Sequence, residues 1–276
     1  MNSGISDYSG MKYCFTCIVC LCAAVLCASC TPLTPKTIEA PARFAIITNT
    51  APESPYKPFA PELTKLIDAV NRENPSFVIH LGNIIYAGNT QGVRETDIDR
   101  QISERGEFFS KLDPVCFYVA GNLDFFKGSF SFFTKETKRP TNHSFHYGPV
   151  HFMAINSAMA SISELQKKWI EDELEINKDD AAVIVLSYYP FMLQKNYAGY
   201  QPTVEDAESF HRIFIRYKVR AVISAAGEFY SRVDRDSIAY INAGAVPIYK
   251  KDGYDQFRYY IGEITKDSIN VTGRKL

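Results

Sequence analysis

The sequence predicts one α/β domain with a mixed sheet system, and three observations carry that reading. From Arg43 onward, short apolar runs bounded by Gly, Pro, Asn or Asp alternate with segments of helical periodicity. No linker-like composition and no internal repeat interrupts residues 43–276. The C-terminal stretch is strand after strand, which a mixed sheet system accommodates most simply. At 276 residues, 46% hydrophobic and 22% charged, the chain is long and apolar enough for one large globular domain.

The elements follow in order. "RFAIIT" (43–48) reads as a strand, and "PELTKLIDAVNREN" (61–74) as a helix with Leu63, Leu66, Ile67 and Val70 on one face. "FVIHLG" (77–82) is the second strand, followed by a long connection and a helix near 97–112. "VCFYVAG" (115–121) reads as a buried third strand, bounded by Pro114 and Gly121, with Val115, Phe117 and Val119 alternating and Cys116 as an inert core thiol. "HSFHYGPVHFMAIN" (143–156) is a hairpin turning at Gly148-Pro149. "SISELQKKWIEDELE" (161–175) is an amphipathic helix capped by Ser161 or Ser163, with Leu165, Trp169 and Leu174 pointing inward. "AAVIVLS" (181–187) is another buried strand, "VEDAESFHRIFIRYK" (204–218) a helix, and "VRAVISA" (219–225) a strand. "IAYINAG", "QFRYYIGEIT" and "SINVTG" complete the strands.

The N-terminus is of a different kind. Six of the seven cysteines crowd into "CFTCIVCLCAAVLCASC" (14–30), where apolar neighbours make them small hydrophobic residues rather than a zinc or redox pair. Lys12, the apolar stretch, and Ala28-Ser29 before Cys30 have the layout of an export signal, with Met11 a more usual start than Met1. The stretch resembles a bacterial lipoprotein signal, which implies lipidation of Cys30 and attachment to a membrane. An uncleaved signal anchor is the alternative, since residues 13–30 approach spanning length. The expected organisation is a signal at 1–30, a Pro-rich tether at 31–42 and the domain at 43–276. A formal charge of −1 supplies no basic stripe, which argues against a nucleic-acid partner.

The strand ends carry the chemistry: "IITNTA", "HLGNIIYAG", "VAGNLD", "LSYYP" and "ISAAGEFYSR". In order and spacing they resemble the five motif blocks of the calcineurin-like metallophosphoesterase superfamily. The continuation through Tyr230 and Arg232 is similar to its purple-acid-phosphatase-like branch. The resemblance implies a four-layer α/β/β/α sandwich, two mixed sheets flanked by helices. It also implies a reaction in which two divalent metal ions, bridged by a carboxylate, activate a hydroxide for attack on phosphorus.

The family's blocks read Asp-x-His, Gly-Asp-x4-Gly, Gly-Asn-His-Asp or Glu, a lone His, and Gly-His-x-His. Matched onto them, Asn49 and Ala51 stand for the first Asp and His, and Asn83 for the bridging Asp. Asn122 is the ligand retained, Leu123 takes the catalytic His position, Tyr188 the lone His, and Ala226 and Glu228 the last two His. Neutral amides and apolar groups cannot offset the charge of paired transition-metal ions. No metal cofactor and no catalytic residue are therefore expected at these positions. His80, His143, His146 and His151 read as packed or solvated histidines.

Phe125, Phe126, Tyr188, Tyr189 and Phe191 gather near the same strand ends. They form either a plug that packs the former pocket or a recognition rim for a protein or small-molecule ligand. The expected function is that of an exported, lipid-anchored pseudoenzyme with a binding or structural role. The alternative is a divergent phosphoesterase with a rearranged or single-metal site.

Overall fold

The computed structural model describes residues 37–39, 41–88, 92–193, 203–227, 229–244 and 259–276. All of them belong to one compact unit, 36–276. The signal-like stretch, Cys30 and Glu228 lie outside the described residues.

Two mixed sheets make up the centre. Sheet one has the order β11-β10-β1-β2-β3, built from β1 (Ala42–Ile47), β2 (Val78–His80), β3 (Cys116–Tyr118), β10 (Tyr259–Ile264) and β11 (Ile269–Arg274). β1, β2 and β3 run parallel, while β10 is antiparallel to β1 and β11 to β10. Sheet two has the order β4-β5-β6-β7-β9-β8. Its strands are β4 (His143–Tyr147), β5 (Val150–Ile155), β6 (Ala182–Ser187), β7 (Ala221–Ser224), β8 (Ser231–Arg235) and β9 (Ile238–Asn242). β5, β6, β7 and β9 are parallel, with β4 and β8 antiparallel at the two edges.

Strand alternation shows how the layers stack. Phe44 and Ile46 of β1 meet Phe152, Ala154, Ile184 and Ile223 of sheet two in a core between the sheets. Ala45 and Ile47 point the other way, onto Leu63, Leu66, Ile67 and Val70 of α1 (Glu62–Arg72). Met153, Ile155, Val183 and Val185 do the same on the outer face of sheet two. They pack on α4 (Glu164–Ile176) and α5 (Ala207–Arg216) through Ile170, Leu174, Phe210 and Phe214. Both faces of the central strands are buried, which is why they read as continuous apolar runs. α2 (Glu95–Phe109) and the short α3 (Ser131–Thr137) bring the described α-helices to five. The result is the four-layer α/β/β/α sandwich.

Several details depart from the sequence reading. Ile38, inside the stretch read as tether, is buried in the core between the sheets, and β1 already begins at Ala42. β3 is a half-buried edge strand of three residues, and Val115 before it is exposed. Leu165 is 79% exposed and does not point inward. The buried stripe of α4 runs through Ile170 and Leu174, four residues apart, and Leu165 falls on the far side of that turn. Ser163 is its cap, accepting from the Gln166 N–H while the Gln166 side chain accepts from the Ser163 N–H.

Candidate functional site

The strand ends identified in the sequence converge at one edge, where β1, β2 and β3 of sheet one meet β6, β7 and β9 of sheet two. Asn49 follows β1 and Asn83 follows β2, both in the left-handed region at φ 47° and 58°. Asn tolerates that conformation better than most residues with a Cβ, because its short polar side chain can bond locally. The Asn49 N–H donates to Gly82 O and the Ala51 N–H to Asn83 O, binding the first two turns together.

The third turn closes against them with almost no clearance. A Cβ at Gly121 would lie 2.2 Å from Asn83 Oδ1, and one at Gly82 2.8 Å from the Tyr188 ring. Glycine is required at both positions for this approach. Asn122–Asp124 then form a single 3-10 turn. Asp124 is fully buried, and its carboxylate accepts from four backbone N–H groups. Oδ2 takes Gly121 at 2.7 Å and Asn83 at 3.0 Å, and Oδ1 takes Ile84 at 2.8 Å and Ile85 at 3.2 Å. Burial pushes this carboxyl up, to about 6, against the four donors, which favour the anion. The Asp retained in the motif thus has a structural use: it clamps the turn after β2 onto the turn after β3.

Asn83 occupies the centre. Its Nδ2 donates to Tyr188 Oη at 2.9 Å and its Oδ1 accepts from the Leu123 N–H at 3.0 Å, so both ends of the amide are engaged. Burial pushes the Tyr188 phenol up, which keeps it neutral. That hydrogen bond joins sheet one to sheet two. A second link runs from Thr48 Oγ1 to Gly244 O. Ala51 and Ala226 are buried and offer no side-chain donor. Asn122 Oδ1 is buried without a hydrogen-bond partner. Tyr230 stacks on Tyr260, and Arg232 pairs with Asp234 and donates to Ile269 O.

The five aromatic residues near this edge do not form one surface. Phe126 is buried with Ile84, Ile85 and Phe133. Tyr188 belongs to the core between the sheets. Phe191 is buried on the outer face of sheet two, its ring 5.4 Å from Phe210 and 5.2 Å from Phe214. Tyr189 is half-buried between the last two clusters, and Phe125 is half-buried against Phe130.

Of the histidines, His80 is buried, with Nε2 2.9 Å from Thr50 Oγ1, and burial holds it well below its ordinary pKa. His143 is likewise pushed down by burial, to about 4, with Nδ1 against Pro140 O. Both are packed neutral rings. Burial pushes the Cys116 thiol up to about 12, which leaves it inert although its strand lies at an edge. The four-donor cradle of Asp124 could not be read from the sequence, because three of its donors lie about forty residues earlier.

A family model described as calcineurin-like phosphoesterase matches residues 58–225. Among solved structures, the chain is similar to a dimetal phosphatase from Danio rerio, with TM-score 0.66 and 13% identity over 85% of this chain and 96% of that one. It is similar to GAP50 of Plasmodium, described as the anchor in the inner membrane complex, with TM-score 0.61 and 14% identity over 84% of each chain. A purple acid phosphatase from yellow lupin seeds aligns with TM-score 0.59 and 12% identity, over 85% of this chain and 52% of that one. At such identities the likeness is one of fold. No curated protein sequence matches the chain.

Proposed function

The chain belongs to the calcineurin-like phosphoesterase family, and we propose that within it this protein is an exported, lipid-anchored pseudoenzyme whose domain binds or scaffolds rather than hydrolyses. The observation that carries the reading is the Asn83 amide. At the position of the family's bridging carboxylate stands a neutral group whose two ends are already used by Tyr188 and the Leu123 N–H. A dimetal centre needs an anionic bridge and several charged or imidazole donors. Of the seven matched positions, Asn49, Ala51, Asn83, Asn122, Tyr188 and Ala226 supply none of these and only Glu228 carries a charge, so the residues at the strand ends do not fit a pair of divalent ions. The Plasmodium protein of the same fold is described as an anchor in an inner membrane complex, a role of the kind proposed here.

A divergent single-metal phosphoesterase is the second reading, and Asn122 Oδ1 favours it as a buried oxygen without a partner. Hydrolysis of p-nitrophenyl phosphate and its diester, with added Mn²⁺ or Zn²⁺, separates the two. The wild-type chain is expected to give no turnover above the metal-only blank. Leu123→His is expected to give none either, because residues acting as one catalytic unit are strongly non-additive. Turnover that disappears in Asn122→Ala would sink the pseudoenzyme reading.

The anchoring rests on the apolar stretch at 13–30 and the small residues before Cys30. A doubly acylated cysteine holds a protein on a membrane where a single chain is marginal. Cys30→Ser is expected to release the protein or block its processing, with mass spectrometry finding lipid on Cys30 in the wild type. A mature protein that is unmodified and fully soluble would reject the lipid anchor.

A further inference from the structure

The β4–β5 hairpin carries a second cluster, at the entry end of β5 and β6, whereas Tyr188 follows the exit end of β6. His146 and His151 are paired directly across the hairpin, so their side chains leave the same face. Their rings stack with centroids 4.8 Å apart and planes 17° from parallel. Asp180, just before β6, places Oδ2 2.9 Å from His146 Nε2. Glu173 of α4 places Oε1 3.2 Å from His151 Nε2. That approach is close but off the hydrogen-bonding line, and both ring nitrogens of the fully buried His151 lack a hydrogen-bond partner. A buried imidazole between two carboxylates, with neither nitrogen satisfied, is anomalous for a packed histidine.

We propose that His146, His151 and Asp180, with Glu173 beside them, form a site for one zinc-class divalent transition ion. The donor set suits it: two imidazoles and carboxylate oxygens are ordinary Zn²⁺ ligands, and two carboxylates match the charge of the ion. The distances suit it as well. Ligand atoms of His146, His151 and Asp180 lie within 4.8 Å of one another. Tetrahedral Zn²⁺ would draw them to separations of about 3.3 Å, a change that small side-chain rotations supply. Burial, reinforced by the neighbouring His146, pushes the His151 imidazole down, towards the neutral form that ligates. An ion between them would replace the His146–Asp180 hydrogen bond and give His151 the partner it lacks.

The ion would fasten the tip of the β4–β5 hairpin to the connection entering β6 and to α4. This site is independent of the family's metal positions and of whether those positions are catalytic.

The test is a titration of the full chain, stripped of metal, with Zn²⁺, and with Co²⁺ as a spectroscopic probe. One equivalent is expected to bind, with a rise in Tm and a visible Co²⁺ absorption band of nitrogen–oxygen coordination. His146 is partly exposed, so His146→Ala is expected to remain folded, with a modest fall in metal-free Tm from the buried Asp180 carboxylate it pairs with, while weakening Zn²⁺ binding about 100-fold or more, at or beyond the effect of losing a residue that merely orients a ligand. Asp180→Asn provides a second variant with the same expected loss. The absence of saturable uptake, or uptake with unchanged affinity in His146→Ala and Asp180→Asn, would overturn the proposal. Uptake retained in His146→Ala but lost in Asn122→Ala would place the ion at the family's position and overturn both this proposal and the pseudoenzyme reading.

Discussion

Asp124→Ala is expected to destabilise the domain by on the order of 4 kcal/mol or more. The substitution removes the acceptor of four buried backbone N–H groups, at Gly121, Asn83, Ile84 and Ile85. Each buried donor left unmade costs about 1–3 kcal/mol. Set against a total stability of about 5–15 kcal/mol for a typical domain, this approaches loss of the fold. Urea unfolding of the full chain followed by circular dichroism measures it, and a change below about 1 kcal/mol would show that the carboxylate is not the clamp. The variant should also alter the pH dependence. The Asp124 carboxyl, pushed up to about 6, lies above the unfolded value of about 3.9. The native chain therefore binds the extra proton, and this contribution to stability increases as pH falls from about 6 towards 4. In Asp124→Ala that component disappears.

Phe191→Ala is expected to cost about 3–5 kcal/mol, the usual range for emptying a buried Phe position. Phe191 is 4% exposed and wedged between Phe210 and Phe214 of α5. Tyr189→Ala, at a half-buried neighbour, is expected to cost less. The informative comparison sets melting temperature beside recovery of binding partners from native extract, on the same two variants. If the aromatics plug the former pocket, stability falls and recovery falls only as far as unfolding requires. Recovery abolished in a Tyr189→Ala protein of wild-type Tm would instead identify a recognition surface around Tyr189.

Much of the fold was legible because its central strands are buried on both faces. Runs such as "AAVIVLS" and "VRAVISA" have no other sensible placement. Where one face meets water the signal weakened. β8, "SRVDR", carries Arg232, Asp234 and Arg235 along an edge and offers no apolar run to mark a strand, and α3 is too short to show a period. Leu165 misled because hydrophobicity alone does not fix the inward face, whereas its angle to Ile170 and Leu174 does. At the strand ends, the resemblance to the family's motif blocks pointed to Asn49, Asn83 and Tyr188. Their bonding was not legible, since Asn83 and Tyr188 lie 105 residues apart. The pairing of His146 with His151 was implicit in a hairpin turning at Gly148-Pro149, but nothing local announced Asp180 or Glu173 as their neighbours.

The pairing of β1 with β10 sets a timetable for folding. Ala42 opposes Ile264, so the inner strand of sheet one waits for a partner from the far end of the chain. Within sheet one, only the β1–β2 and β2–β3 pairs can form earlier, and they are short and parallel. Contacts so distant in sequence make closure slow, because the loop entropy is lost before the pairing is gained. During synthesis sheet one remains incomplete until β10 emerges. Until β10 arrives, that delay exposes β1, "ARFAII", to mispairing with other chains.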